Sequence, residues 1–157
     1  VLAAPVEDLV HALKYEGWPE LAESMGRELA KIRLPEQDAS SLVVPVPTTV
    51  RRRRRRGYNQ AELLAERFAA RTGRPLRRAL TRRSEGRSQT ALTPAERREN
   101  VRGVFAPSAL EGDVAGARVL VVDDVLTTGA TASEAASALV SMGASHVTLV
   151  AFARALP

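Results

Sequence analysis

The sequence predicts an α/β fold built on a mostly parallel sheet, and three observations predict it. The run "RVLVVDD" (118–124) is continuously apolar and then turns acidic, as a strand covered on both faces does. Short valine-rich runs alternate along the chain with stretches whose apolar residues recur every three or four positions. The 157 residues, 45% of them apolar, suit one domain (1–157) around one core, with no internal repeat and no second domain.

The elements follow in order. Val6, Leu9, Val10 and Leu13 have helical spacing and predict an amphipathic helix over 5–15; Leu21, Met25, Leu29 and Ile32 predict a second over 19–33. "LPEQDASS" (34–41) is a polar connection. "LVVPVP" (42–47) reads as a buried strand whose prolines end it early. "TTVRRRRRRGYNQ" (48–60) reads as a loop, because six consecutive arginines repel one another in a compact element and Gly57 offers a turn that Tyr58 and Asn59 shape. Ala61, Leu64, Ala65 and Phe68 mark a helix ending near Thr72 and Gly73. "LRRAL" (76–80) is expected to be a short strand. Residues 81–102 carry little hydrophobic content and read as a mobile loop with one helical turn at 94–99; loops of that length are often lids. "GVFAP" (103–107) is a strand edge, 132–142 a helix stopped by Gly143, and "HVTLVAFA" (146–153) a last strand. Trp18 is expected to be a packing anchor. His11 and His146 read as structural residues with no metal cluster around them.

Charge is segregated. Residues 51–103 hold 17 of the 23 basic residues and 5 of the 18 acidic ones, so that third is +12 and the remainder −7. A basic middle implies an anionic partner, either nucleic acid or a phosphorylated small molecule. The absence of cysteine excludes disulfides and thiolate metal sites in this sequence. No apolar run approaches the roughly 20 residues of a membrane span, so membrane insertion is not expected and a cytoplasmic location is.

The chemistry concentrates in "VLVVDDVLTTGAT" (119–131). Asp123 and Asp124 stand at the carboxyl end of the buried strand, the edge where open α/β sheets bind ligands. Thr127, Thr128, Gly129, Ala130 and Thr131 lead into a helix, with Thr131 and Glu134 spaced as a capping box. A helix N-terminus offers unpaired N–H groups, glycine permits close approach and threonine adds hydroxyl donors, which suits a phosphate monoester. The carboxylates repel phosphate but accept hydrogen bonds from hydroxyls, each worth about 1.5–3 kcal/mol. A diol beside a phosphate is a ribose 5-phosphate. The plainer reading is a strand, an acid and a capped helix with no ligand. A nucleotide site of the G-x-x-x-x-G-K-[ST] kind has no matching sequence here, and no separate phosphoacceptor aspartate follows another strand.

"VLVVDDVLTTGAT" resembles the phosphoribosyl pyrophosphate (PRPP) signature of type I phosphoribosyltransferases. "HALKYEG" (11–17), "RGYNQAELLA" (56–65) and "QTALTPAERRENVRGVF" (89–105) are similar to the competence protein F (ComF) family of phosphoribosyltransferase-like proteins, and the resemblance spans nearly the whole chain. It implies a type I phosphoribosyltransferase fold with a helical hood over 1–40, a core over 42–157 and a flexible loop over 81–102. It implies that Asp123 and Asp124 hold the ribose hydroxyls, and that 127–131 take the 5-phosphate. The pyrophosphate falls to the loop 48–57, with Arg55, Arg56 and Gly57 foremost. The implied reaction displaces pyrophosphate from carbon 1 of PRPP, with Mg2+ on pyrophosphate and ribose oxygens and Asp123 and Asp124 as its candidate protein ligands. Arg87, Arg97 and Arg98 are loop residues expected to reach the site, Arg87 as a catalytic group, while Gln89 and Asn100 are expected to pin the closed loop. Members of that family commonly begin with a cysteine-rich, zinc-binding segment, which is expected to be removed or lacking here.

Two features have two readings each. Arg51–Arg56 is either a solvated basic loop or an anion patch whose inner two residues bind pyrophosphate and whose outer ones engage single-stranded DNA. Lys14 and Tyr15 either end a surface helix or fold over the site. Two functions stand side by side: a PRPP-dependent transferase with an unknown acceptor, and a PRPP- or nucleotide-binding accessory protein in DNA uptake with little catalysis. The expected partners are PRPP, single-stranded DNA or a competence-machinery protein, and a second copy of the chain.

Overall fold

The computed structural model describes residues 4–16, 18–34, 41–83 and 103–155. Helix α1 (Val6–His11) runs into a π-helical turn at Ala12–Glu16, and α2 (Leu21–Leu29) follows. Strand β1 (Leu42–Pro45) leads to α3 (Val50–Arg56) and α4 (Gln60–Thr72). Strands β2 (Leu80–Arg82) and β3 (Phe105–Pro107) precede β4 (Arg118–Leu126), α5 (Ala130–Ser141) and β5 (His146–Arg154).

The central sheet has the order β1-β4-β5 and is parallel throughout. The stretch beside Leu76 adds one parallel bridge on the outer side of β1, with Val43 N–H donating to the Pro75 carbonyl at 2.8 Å. A separate antiparallel pair, β2-β3, lies on one face.

The pleat explains the uninterrupted apolar runs. Val43, Leu120 and Val122 pack with Val10, Leu13, Met25, Leu29, Leu64 and Phe68 under α1, α2 and α4. Their neighbours Val44, Val119 and Val121 turn to the other face and pack with Ala135, Leu139, Leu80 and Phe105 under α5 and the β2-β3 pair. Gly26 allows α2 to lie close on α4, since a Cβ there would collide with that of Arg67.

Five expectations need correction. Residues 50–56 form a helix, not a loop. Thr49 accepts a hydrogen bond from Arg52 N–H at 3.2 Å as its N-cap, and Gly57 ends it at φ 84°. Successive side chains splay around the axis into water, and cations in the last turn favour the helix dipole, so the repulsion is tolerable. The capping box at Thr131 and Glu134 does not form. The helix begins at Ala130 with Gly129 at φ 78° before it, Ala130 N–H donates to Thr128 Oγ1 at 3.4 Å, and Glu134 instead accepts from Gly103 N–H. Residues 76–80 are not one strand, because Leu76 bridges β1 while Leu80 opens β2. Trp18 is not an anchor but is 56% exposed, and Ile32 lies past the end of α2, also exposed. The helical turn expected at 94–99 lies outside the described residues.

Phe68, 1% exposed on α4, fills the space between that helix and the sheet. Phe68→Ala is expected to cost about 3–5 kcal/mol, read as a lower urea midpoint at unchanged slope; a loss below 1 kcal/mol would show that this face is not the main core.

Candidate functional site

The site forms where β1 and β4 part. β1 pairs with β4 only as far as Pro45 opposite Val122, and Val46 N–H makes one more bond to the Val122 carbonyl at 2.9 Å. β4 continues against β5 to Leu126, so Asp123 and Asp124 have a strand on one side and open space on the other. That space is a cavity of about 280 Å3 bounded by Val46–Thr48, Asp123 and Asp124, Thr127 and Thr131, and α3.

The two aspartates leave the strand in opposite directions. Asp124 shares the face of Val122, beneath the N-terminal helices, and is 8% exposed. Lys14 Nζ reaches it from the π-helical turn, 2.9 Å from Oδ2. Lys14 therefore folds over the site, which settles one of the two readings left open by the sequence. Asp123, half-buried, follows Val121 toward the other face. Burial first, and then the negative charge of Asp124, pushes its carboxyl up to about 8; the Lys14 charge acts the other way. Asp124 N–H donates to Asp123 Oδ1 at 2.8 Å, and Val125 N–H to Asp124 Oδ1 at 2.7 Å.

Helix α3 forms the opposite wall. Arg52 and Arg56, one turn apart, are half-buried, whereas Arg51, Arg53, Arg54 and Arg55 are exposed. Arg56 donates to Gln60 Oε1 at 3.0 Å, and its guanidinium carbon lies 5.1 Å from the Tyr15 ring centroid. Burial lowers its pKa, while Tyr15 and Asp124 raise it. Two residues that line the cavity carry buried donors without a hydrogen-bond partner, Arg56 Nε and Gln60 Nε2. Asn59 fixes the turn by donating to the Val46 carbonyl at 3.1 Å, and the Tyr58 hydroxyl ties the turn to the N-terminal helical segment through the Leu13 carbonyl at 2.7 Å.

The sequence-predicted residues fall unevenly around this cavity. Asp123, Asp124, Arg55, Arg56, Thr127 and Thr131 line it. Thr128, Gly129 and Ala130 belong to the same loop without lining the cavity. Gly57 serves as the left-handed end of α3 and does not line it either. Arg87, Gln89, Arg97, Arg98 and Asn100 lie outside the described residues. Sequence reasoning missed Arg52, Gln60 and the pairing of Lys14 with Asp124. A helical reading of 50–56 would have put Arg52 and Arg56 on one face, one turn apart.

Among the described residues no three His, Cys, Asp or Glu side chains gather to hold a metal, and no helix is long and apolar enough to cross a membrane.

Comparison with known proteins agrees with this architecture. Residues 39–156 match the phosphoribosyl transferase domain. The DNA utilization protein YhgH of Escherichia coli is 33% identical over 168 residues, covering 98% of this chain and 69% of that protein. Competence protein F of Haemophilus influenzae is 32% identical over 136 residues, covering 86% of this chain and 57% of that protein. Among solved structures, the glutamine PRPP amidotransferase from B. subtilis, complexed with ADP and GMP, superposes with a TM-score of 0.61 at 25% identity, over 91% of this chain and 30% of that one. The fold is a type I phosphoribosyltransferase fold, and the chain belongs to the competence protein F family of phosphoribosyltransferase-like proteins.

The raised Asp123 pKa sets a pH dependence. A carboxyl that titrates near 8 when folded and near 4 when unfolded binds more protons in the folded state between those values, so stability falls as pH rises through that window. Asp123→Asn is expected to flatten this dependence and to be the more stable form at pH about 8 and above, measured as urea midpoints from pH 5 to 9. A parallel pair of profiles would refute the assignment.

Proposed function

We propose that this chain binds PRPP at the cavity between β1, β4 and α3 and transfers its phosphoribosyl group with release of pyrophosphate. The observation that carries this reading is the pairing, in one cavity, of two adjacent carboxylates with a helix-leading threonine loop and a wall of arginines. Asp123 and Asp124 accept the ribose hydroxyls. Thr127–Thr131, at the N-terminus of α5, take the 5-phosphate on backbone N–H groups and hydroxyls. Arg52, Arg55 and Arg56 face the negative charge that gathers on the departing pyrophosphate, which stabilises the transition state more than the ground state.

Two carboxylates are hard oxygen donors but far short of a complete coordination shell. They fit a Mg2+ ion that arrives with ligand oxygens and waters of its own, and when bound it would neutralise pyrophosphate charge. Lys14 must leave Asp124 for a hydroxyl or a cation to take its place.

The test is calorimetry with PRPP and Mg2+. The unmodified chain is expected to bind, and Asp123→Asn/Asp124→Asn to bind at least about tenfold more weakly, as the loss of one charge-assisted hydrogen bond, at Asp124, requires. No heat from the unmodified chain would end this reading. Release of pyrophosphate on adding an acceptor separates a transferase from a binding protein.

A second reading is favoured by α3 itself. Its exposed Arg51, Arg53, Arg54 and Arg55 form a basic surface, and relatives carry the names DNA utilization protein and competence protein F. On this reading the outer arginines hold single-stranded DNA. Affinity for an oligonucleotide is then expected to fall by about tenfold or more between 50 and 200 mM salt; an affinity indifferent to salt would reject it.

A further inference from the structure

Strand β5 is the last strand of the central sheet, and among the described residues nothing pairs with its outer edge. Hydrogen-bond directions show which backbone groups lie there. Val43 donates to the Pro75 carbonyl and accepts from Arg77 N–H, so Leu42 and Val44 turn their backbone groups the other way, to β4. Val46 N–H reaches the Val122 carbonyl, so Leu120 and Val122 face β1, while Val119 and Val121 face β5. In a parallel ladder a residue bonds to the two neighbours of its partner. Val121 is partnered with Leu149 and therefore bonds to Thr148 and Val150. Val147, Leu149 and Ala151 are left with N–H and C=O groups turned away from the sheet. Burial agrees, since Val150 is 2% exposed whereas those three are half-buried.

We propose that this edge pairs antiparallel with the same edge of a second copy of the chain, joining two sheets about a two-fold axis. Charge selects that occupant. A two-fold interface brings each surface residue near its own mate, so any charge on it repels itself. Residues 130–153, which make α5 and nearly all of β5, carry one charged side chain, Glu134, in a chain that is 26% charged. Glu134 is already engaged by Gly103 N–H. Val140 adds an apolar side chain on α5 that is 58% exposed. A nucleic acid or an acidic protein would call for cations here, and the arginines stand on α3 instead.

The edge also lacks the usual protection. Edges kept out of pairing carry lysine or proline, and β5 has neither. A pairing centred on Leu149 sets Leu149 against its mate, Val147 against Ala151 and Thr148 against Val150. Arg154 then falls opposite Ala144, so no charge meets a like charge. The half-buried side chains of Val147 and Leu149 gain apolar cover from the partner strand.

Two measurements on the whole chain test this. Sedimentation equilibrium is expected to give a dimer whose share rises with concentration. Amide exchange followed by NMR at a low and a high concentration is expected to slow at Val147, Leu149 and Ala151 in the concentrated sample. Thr148 and Val150, bonded to β4 throughout, are expected to be slow in both. Leu149→Lys and Leu149→Glu each set a charge against its own copy and are expected to weaken dimerisation at least about tenfold. An equal mixture of the two variants is expected to dimerise again, a recovery that misfolded chains do not give. A chain that stays monomeric, exchange at the three outward amides that ignores concentration, variants that dimerise as tightly as the unmodified chain, or a mixture that stays monomeric would each overturn the proposal.

Discussion

Two carboxylates placed side by side on a buried strand are costly, and the rest of the site is arranged around that cost. Asp123 responds by holding its proton until about pH 8. Asp124 responds by recruiting Lys14 at 2.9 Å. Each solution uses a different face of the sheet, because neighbours on a strand leave in opposite directions. The ion pair also ties the N-terminal helical segment to the core beside the cavity, as do the Tyr58 hydroxyl on the Leu13 carbonyl and the Arg56 guanidinium against the Tyr15 ring. The position of the N-terminal helical segment and the charge of the aspartate pair are thus linked.

The arginine helix is the complementary half of the same arrangement. Its capped start at Thr49 and left-handed end at Gly57 make a short, well-bounded element out of residues with little reason to pack. Periodicity then divides it: Arg52 and Arg56 turn toward the cavity, and the others toward water. Arg56 is held by Gln60 and Tyr15 despite the burial that disfavours its charge. The half-buried guanidinium keeps a buried Nε without a hydrogen-bond partner, which costs free energy in the free protein.

Much of this was legible in the sequence where local pattern decides structure. β4 and β5 were readable because a strand buried on both faces must be apolar at every position, and α4 because Ala61, Leu64, Ala65 and Phe68 repeat at helical spacing. The Asp-Asp and Thr-Thr-Gly motif was readable because its chemistry is contiguous. Errors arose where one force was considered alone. Counting only repulsion turned α3 into a loop, and matching only a spacing put a capping box at Thr131 when the positive φ of Gly129 had already begun the helix. Trp18, expected as a packing anchor, stands instead in water just before α2. The Lys14–Asp124 pair could not be read at all, since its partners come from opposite ends of the chain and meet only through the packing of Leu13 against the sheet.

The unequal protonation of the aspartates bears on how one cavity can hold both a diol and an anion. Two ionised carboxylates would set a repulsive field across the whole cavity, including the threonine loop. With Asp123 neutral and Asp124 matched by Lys14, the acidic side carries almost no net charge, and the arginines on the other wall dominate the field. On the proposed reading, the arginines would draw in a phosphate-bearing ligand first. Asp123, holding its proton, and Asp124, once Lys14 leaves it, would then meet the ligand's hydroxyls, so that an acid pair and an anion site need not conflict within one cavity.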